Sequence, residues 1–258
     1  MFEIFIVSIV SFATAILTFF SGFGLGTILT PVMMIFFPTE VAIAFTGLVH
    51  FSNNFFKFFL VGKNIDKEVL IRFGLPSVIA AYIGAYILVS IDDNIVVFSY
   101  YFFDKKIDVI LVKFLISILL IIFAIIDLIP QIKDLHFDKK HLPVGGFLSG
   151  VFGGLSGNQG ALRSAFLVNH GLEKSVFVAT TVAISSLVDI TRLSVYSTNF
   201  LNLNYSDFYQ IGLFSVVSAV AGSFIGNKLL KKVTIQQIKK LVALLLILLG
   251  ISLLIGIL

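Results

Sequence analysis

The sequence predicts an all-α polytopic membrane protein, and composition is the first observation behind this prediction. Of the 258 residues, 58% are hydrophobic and 12% are charged, whereas an ordinary soluble domain has roughly 45–50% and about 25%. A water-soluble protein of this size could not hide so much apolar surface, because its exterior needs charge. This composition argues against a disordered chain, a nucleic-acid-binding protein and a cytosolic Rossmann-type enzyme.

The lengths of the apolar stretches are the second observation. Six stretches contain about 20–24 residues each, which matches a hydrocarbon core roughly 30 Å thick. Residues 1–20 lack a basic n-region and a cleavage site, so we interpret them as a retained membrane segment rather than a signal peptide. We expect transmembrane helices at 39–61, 69–90, 107–129, 174–197, 206–229 and 238–257.

Two further apolar stretches, 4–36 and 143–171, contain glycine-rich interruptions, which are the third observation. As one helix, the first would be about 50 Å long and would need a tilt beyond the usual range of about 0–40°. We interpret each stretch as two half-helices that meet inside the membrane as a re-entrant hairpin, facing protein or a polar cavity. The interruptions read Ser21-Gly22-Phe23-Gly24-Leu25-Gly26 and Ser156-Gly157-Asn158-Gln159-Gly160.

The two interrupted segments belong to an internal repeat. The segment lengths recur in the same order, which indicates a duplication. We therefore predict a single transmembrane domain, 1–258, in which repeat one (1–130) and repeat two (142–258) are joined by a basic loop (131–141). A shift of 135 residues aligns Ser21-Gly22 with Ser156-Gly157, Ala44 with Ala179, Thr46 with Thr181 and Lys57 with Arg192.

Loop charge predicts that the two repeats are inverted. If each interrupted segment is a re-entrant hairpin, each repeat also has three transmembrane helices, and the repeats have opposite orientations. The loop lysines then lie mostly on one side of the membrane. If the interrupted segments instead cross the membrane fully, the lysines are shared more evenly between the two sides. The positive-inside rule favours inverted repeats with both termini outside. The inner side receives Lys63, Lys67, Lys133, Lys139, Lys140, Lys174, Lys231, Lys232, Lys239 and Lys240, and the outer side Lys105 and Lys106.

Paired broken helices are typical of secondary transporters, whose substrate lies where the repeats meet. A half-helix that starts at a glycine break presents unpaired N–H groups and about half a positive charge, which favours an anion. The alternative is close helix packing through small residues. The candidate substrate-binding residues are Ser21, Gly22, Gly24, Gly26 and Thr27 in repeat one, and Ser156, Gly157, Asn158, Gln159, Gly160, Arg163 and Ser164 in repeat two.

Arg163 strengthens the anion hypothesis. An arginine at membrane depth costs at least roughly 2.5–3.5 kcal/mol, so it should have a partner or a substrate. Its planar fork suits carboxylate, sulfonate or sulfite oxygens better than a lysine does. The alternative is a structural pairing with a backbone carbonyl or with Asp189.

The helices after the two breaks carry polar stripes at spacings of three and four residues, which should face the bundle interior. Alternatively, Asp189 and Arg192 neutralise each other, or Lys57 and Arg192 snorkel to the interface. His50, Asp189 and Glu40 are candidates for a coupling proton, although His50 could simply hydrogen-bond a neighbour. The stripes are Thr46, His50, Asn53, Asn54 and Lys57, and Thr181, Ser185, Asp189, Arg192 and Tyr196.

Motifs of soluble enzymes are missing from the sequence, which has no P-loop, no His-Glu-x-x-His and no G-x-S-x-G. Without cysteine there is no thiolate metal site, and we predict no cofactor and no metal. Transport would then run on a proton or sodium gradient or downhill. The expected partners are a small anion, the lipid bilayer and a coupling proton or sodium ion, with no nucleic acid. The alternatives are an anion channel, a membrane-embedded enzyme or a non-transporting sensor.

The glycine motifs resemble those of the TauE/SafE family, the sulfite exporter or toluene sulfonate uptake permeases, over nearly the whole chain. The resemblance implies movement of sulfite, sulfonates, sulfoacetate or similar anions across the bacterial inner membrane. The usual motif has three glycines in each half, so Gly24-Leu25-Gly26 and Asn158-Gln159-Gly160 suggest a distinct subgroup. The matching residues are 21–26, Pro31 and Ala44-Phe45-Thr46 in one copy, and 150–163 and Ala179-Thr180-Thr181 in the other.

Overall fold

The computed structural model describes residues 2–19, 24–61, 64–92, 94–129, 137–167, 170–200, 206–229 and 235–257. Helices dominate this part of the chain, as an apolar solvent demands, because each helix satisfies its own backbone groups. They are α1 (Phe2–Thr18), α2 (Leu25–Met33), α3 (Thr39–Val61), α4 (Lys67–Val69), α5 (Leu75–Ser90), α6 (Leu111–Leu128), α7 (Leu142–Ser156), α8 (Gly160–Leu167), α9 (Lys174–Phe200), α10 (Ser206–Leu229) and α11 (Ile235–Leu254).

Both predicted helix interruptions are confirmed. Gly24 precedes α2 with φ 112°, and Gly157 follows α7 with φ 78°. This left-handed region of backbone space favours glycine, because a Cβ would be strained there. Ser21 and Gly22, predicted to belong to the first break, lie outside the described residues, as do Lys63, Lys133, Lys231 and Lys232.

Three helices in the described part of the chain are long and apolar enough to span a membrane: Lys67–Ser90, Ser175–Ser197 and Tyr209–Lys228. They correspond to three of the six predicted spans. The first combines α4 and α5 through a π-helical turn at Leu70–Gly74. Shorter apolar helices are Phe2–Thr18, Leu111–Ile126 and Lys240–Leu254.

A β-hairpin between α5 and α6 departs from the all-α prediction. Strands β1 (Val96–Phe102) and β2 (Lys105–Ile110) pair antiparallel. Phe103 and Asp104 connect them with φ of 47° and 58°, the two positive values of the tight turn that suits strand twist. Valine, tyrosine and phenylalanine favour strands, so the helix expected over 107–129 begins at Leu111.

Helix packing is reciprocal between the two halves of the chain. Helix α1 packs against α10 while α5 packs against α7, and α3 packs against α9 while α6 packs against α11. The α5–α7 contact is close enough to need glycine. A Cβ on Gly84 would lie 2.0 Å from the carbonyl oxygen of Val151, and one on Gly154 would lie 2.2 Å from that of Ala81. Small residues let membrane helices approach to this distance.

The reciprocal packing brings α3, α9 and the two broken segments together in the bundle. Helices α3 and α9 lie side by side, and each directly follows one of the two broken segments in the chain. Their polar stripes are buried together there, with no exposed charged side chain among the described members. This is the region in which the candidate site is found.

Candidate functional site

Asp189 is the centre of a buried polar network that joins the two halves of the chain. Its carboxylate is fully buried, and its Oδ2 lies 2.6 Å from Nδ1 of His50 on α3. Asn54, one turn after His50, donates to the same oxygen at 3.3 Å. The network therefore connects α9 to α3, two helices that the repeat alignment predicts to be equivalent.

Arg192 occupies the other carboxylate oxygen. Its Nε donates to Oδ1 of Asp189 at 2.9 Å, and its second terminal nitrogen forms an ion pair with Oδ1 at the same distance. The ion pair between Asp189 and Arg192, which the sequence offered as one alternative, is therefore present in the structure. Arg192 is fully buried and Lys57 is 4% exposed, so neither side chain snorkels to the interface.

The two helix breaks meet beside Arg192. A Cβ on Gly26, in the first turn of α2, would lie 3.3 Å from the carbonyl oxygen of Gly157. A Cβ on Gly157 would in turn lie 3.0 Å from a terminal nitrogen of Arg192, and one on Gly47 would lie 3.3 Å from its Cζ. Glycine at these positions gives the guanidinium the room to lie between α3 and the second break. Gly47 was missed in the sequence, where a single glycine within a helix carries no signal.

Arg163 joins the same network through Gln159. Its guanidinium donates to Oε1 of Gln159 at 3.1 Å, and Nε2 of Gln159 donates to Oδ1 of Asp189 at 3.4 Å. Ser149 on α7 fixes the turn by donating to the backbone carbonyl of Gln159 at 2.8 Å. Arg163 is 1% exposed, so the second break brings a buried cation to the centre from α8.

Lys57 supplies a third buried cation, from the first half of the chain. Its Nζ lies 5.3 Å from the centroid of the Phe19 ring, within the range of a cation–π interaction. Asn53, one turn earlier, accepts a hydrogen bond from Ser223 on α10 at 2.6 Å. Neither Phe19 nor Ser223 was a sequence candidate, because each lies on another segment and nothing in its local pattern indicates the contact.

The remaining predicted site residues belong to the helices at the two breaks and to α3 and α9. Gly24 caps α2, and Gly160 begins α8. The Ser156 hydroxyl donates to the carbonyl of Phe152 at 2.9 Å and accepts from the backbone N–H of Asn158 at 3.3 Å. The side chain of Glu40 lies outside the described residues. Buried as well are Thr27, Thr46, Asn158, Ser164, Thr181, Ser185 and Tyr196, whose hydroxyl donates to the carbonyl of Gly154.

Several buried polar atoms in this region have no hydrogen-bond partner within the described part of the chain. They include both side-chain polar atoms of Asn158, the hydroxyls of Ser164 and Thr46, and a terminal nitrogen of Arg192. Buried polar groups in proteins are nearly always hydrogen-bonded, and each unmade bond costs about 1–3 kcal/mol. Such a concentration at one place indicates a position for a polar ligand or water.

Basic side chains predominate among the described ionisable residues of this centre. Apart from His50, the buried ones are Lys57, Arg163, Arg192 and Asp189. Three of these four are basic and one is acidic. Positive charge is costly in a medium of low dielectric unless an anion compensates it. A cluster of basic side chains of this kind would stabilise a negatively charged ligand beside it.

Comparison with known proteins agrees with the resemblance noted in the sequence. No curated protein sequence and no solved structure matches the chain. The family model described as Sulfite exporter TauE/SafE matches residues 7–253, which is nearly the whole chain. The apolar helices and this match together establish an integral membrane protein. The chain belongs to the TauE/SafE sulfite exporter family.

Proposed function

We propose that the protein is a secondary transporter that moves a small sulfur-containing or organic anion, such as sulfite or a sulfonate, across the bacterial inner membrane. The observation that carries this proposal is the burial of the basic side chains of Lys57, Arg163 and Arg192 around Asp189, next to two helix breaks. Membership of the TauE/SafE family supports a sulfur-containing anion.

The anion binds beside the point where the two breaks meet. There the first turns of α2 and α8 contribute unpaired backbone N–H groups, and Arg163 and Arg192 contribute guanidinium donors. Asn158 and Ser164 contribute neutral donors from the second break, where their polar atoms lack other hydrogen-bond partners among the described residues. A trigonal or tetrahedral oxyanion suits this set, because several donors converge on it from different directions.

Transport proceeds by alternating access between two inverted repeats, each a broken hairpin followed by three helices. The reciprocal packing of α1 with α10 and of α5 with α7 supports equivalent repeats, and the lysine distribution supports their inversion with both termini outside. The centre is buried in this conformation, since each of its described charged side chains is at most 4% exposed. One repeat must therefore rock against the other to admit substrate.

A proton is the coupling ion, and His50 carries it. His50 lies 2.6 Å from Asp189, with Asn54, Lys57 and Arg192 as its other polar and charged neighbours. Histidine is the side chain that most readily gains and loses a proton under physiological conditions, and a proton on His50 would be shared with the Asp189 carboxylate. The anion and proton then bind together, which makes the cycle a proton–anion symport or its reverse. Sodium is the alternative ion, but both oxygens of Asp189 already bind protein donors.

Flux in proteoliposomes tests the transport function. Vesicles containing the purified protein should accumulate labelled sulfite or a sulfonate, saturably and at carrier rates. Arg163→Gln should lower apparent affinity about 10- to 150-fold, because a hydrogen bond to a charged group is worth about 1.5–3 kcal/mol. Arg163→Lys should recover only part of the lost affinity, because lysine lacks the planar guanidinium that can donate two parallel hydrogen bonds.

Arg72→Gln is the matched control for this experiment. It removes the same charge from an exposed position, where Arg72 lies 3.3 Å from Glu68, and it should leave the flux unchanged. Equal affinity in Arg163→Gln and the wild type would reject the assigned role of Arg163. Ionic currents far above carrier rates would indicate a channel instead, and product formation in detergent without vesicle flux would indicate an enzyme.

Proton movement tests the coupling. Anion flux in vesicles loaded with a pH-sensitive dye should be accompanied by a pH change, and His50→Gln should abolish that change while leaving anion-induced thermal stabilisation in place. A pH change that persists in His50→Gln, or a flux that requires sodium, would contradict the assignment of His50.

A further inference from the structure

The β-hairpin interrupts the helical architecture in the first half of the chain, and the described residues of the second half contain no strand. Twenty residues, 91–110, separate α5 from α6, whereas five residues, 230–234, separate the corresponding helices α10 and α11. The hairpin is also unusually apolar for a connection, since β1 reads Val-Val-Phe-Ser-Tyr-Tyr-Phe. A duplicated fold does not require this insertion, so its composition calls for a separate explanation.

The base of the hairpin is fixed to the helices. The hydroxyl of Tyr100 donates to the carbonyl of Ile255 at the end of α11. Gly256 lies against β2, where an added Cβ would meet Ile107 at 2.9 Å. The ring of Phe98 packs edge-on against Phe114 in the first turn of α6, with centroids 6.3 Å apart. The hairpin is therefore held at the end of two apolar helices rather than hanging free.

The tip of the hairpin is aromatic and exposed. Tyr101 is 75% exposed and Phe103 is 87% exposed, and Phe102 between them is also exposed. Phe102 and Phe103 stack edge to face with centroids 4.7 Å apart, so they form one apolar projection. Asp104 and Lys105 follow Phe103 in the chain, and both are exposed as well.

We propose that this tip inserts into the headgroup region of the bilayer and anchors the ends of α5 and α6 at the membrane surface. The exposed apolar face of α5, which includes Ile79, Tyr82 and Tyr86, leads along the chain directly to the hairpin. In an integral membrane protein that face contacts lipid, so the tip continues an existing lipid-facing surface. The chain has no tryptophan, and phenylalanine and tyrosine are the residues left to occupy the interface.

A phospholipid surface fits the tip better than a second copy of the chain does. Three aromatic side chains bury about 150–250 Å² each, or about 450–750 Å² together. This total is less than the roughly 800 Å² that each partner buries in a stable protein interface. Lys105 adds an ammonium group beside the rings, which can reach a lipid phosphate while its apolar stem stays with them. An interfacial anchor needs only this combination of apolar rings and an adjacent cation.

Tryptophan fluorescence tests the proposal directly, because the chain contains no tryptophan. Phe103→Trp gives a single reporter at the tip, and Tyr101→Trp gives a second reporter if the first variant is not recovered. Each is reconstituted in phosphatidylcholine vesicles with or without lipids brominated near the headgroup end of the acyl chain. Asp138→Trp is the control, since Asp138 is exposed in the connection before α7.

The expected result is blue-shifted emission at position 103 and loss of that emission in brominated vesicles, with red-shifted and unquenched emission at position 138. Emission at position 103 as red-shifted as at position 138, with no quenching by bromine, would overturn the proposal. A third outcome is emission that is blue-shifted and not quenched by bromine, with a shift that grows as the protein-to-lipid ratio rises. That outcome would also overturn the proposal and would indicate contact between copies of the chain.

Discussion

Replacing Asp189 with asparagine perturbs the balance of charge at the centre of the molecule without changing the size of the side chain. Asp189 is fully buried and holds His50 at 2.6 Å and Arg192 at 2.9 Å. The substitution removes the buried carboxylate and leaves the three buried cations in place. The net charge of the centre rises by one unit.

The expected cost is about 3–5 kcal/mol of folding stability, which is typical when one partner of a buried ion pair is removed. For a chain of this length that corresponds to a fall in melting temperature of about 6–20 °C, taking 2–4 °C per kcal/mol. An anion that binds only the folded state increases the free energy of unfolding by RT ln(1 + [L]/Kd), where [L] is the free anion concentration. At a concentration of 100 times Kd this increase is about 2.7 kcal/mol. Because the variant centre is more positive, the anion should bind it more tightly than the wild type.

Thermal unfolding in detergent, with and without sulfite, measures both effects. The melting temperature of Asp189→Asn should be well below that of the wild type without the anion, and the gap should narrow as the anion is added. Asp108→Asn is the control, since its ion pair with Lys106 is exposed and its loss should hardly change the melting temperature. Equal melting temperatures for Asp189→Asn and the wild type, or a gap that the anion does not narrow, would refute the electrostatic reasoning.

Two further predictions concern packing and the hairpin. Gly84→Ala should lower folding stability by at least about 3 kcal/mol, because the added Cβ would lie 2.0 Å from a carbonyl oxygen of α7. Gly171→Ala has open space around it and should lose only the roughly 1–2 kcal/mol that a positive φ costs. Similar melting temperatures for the two variants would contradict the packing. The hydrogen bond from Ser99 and the charge of Lys106 lower the pKa of Asp108, so hairpin stability should fall as the pH drops below the ordinary value of 3.8. Amide exchange in β2 should detect this loss, and a hairpin equally protected across that pH range would count against it.

The helix breaks and the polar stripes could be predicted because both signals are local. Glycine at a positive φ marks a break within a few residues, as Gly24 and Gly157 do. A spacing of three and four puts polar groups on one helical face, and the high cost of exposing them to lipid requires that face to be buried. These two arguments indicated that α3 and α9 carry the candidate site.

The partnerships within the site could not be predicted, because they join residues far apart in the chain. His50 and Asp189 are separated by 139 positions, and no periodicity links them. The sequence suggested a direct pairing of Arg163 with Asp189 as one alternative, whereas Gln159 lies between the two side chains and hydrogen-bonds both. Such contacts depend on how α3, α8 and α9 pack together.

The hairpin was missed because a short apolar run does not distinguish a strand from a buried helix. Residues 96–110 are rich in valine, isoleucine and aromatic residues, which favour strands. Their position between two apolar helices suggested instead a connection followed by a longer helix. The tight turn at Phe103 and Asp104 carries no glycine and no asparagine, the residues that usually mark such a turn.

Locating a bound oxyanion tests the central claim most directly. Selenite is a close analogue of sulfite, and its selenium can be identified by anomalous diffraction from crystals of the wild-type protein. The account predicts one strong selenium peak beside the contact between Gly26 and Gly157, within hydrogen-bonding distance of the guanidinium groups of Arg163 and Arg192. A saturated crystal in which that position is empty, or in which selenium binds only elsewhere, would contradict it.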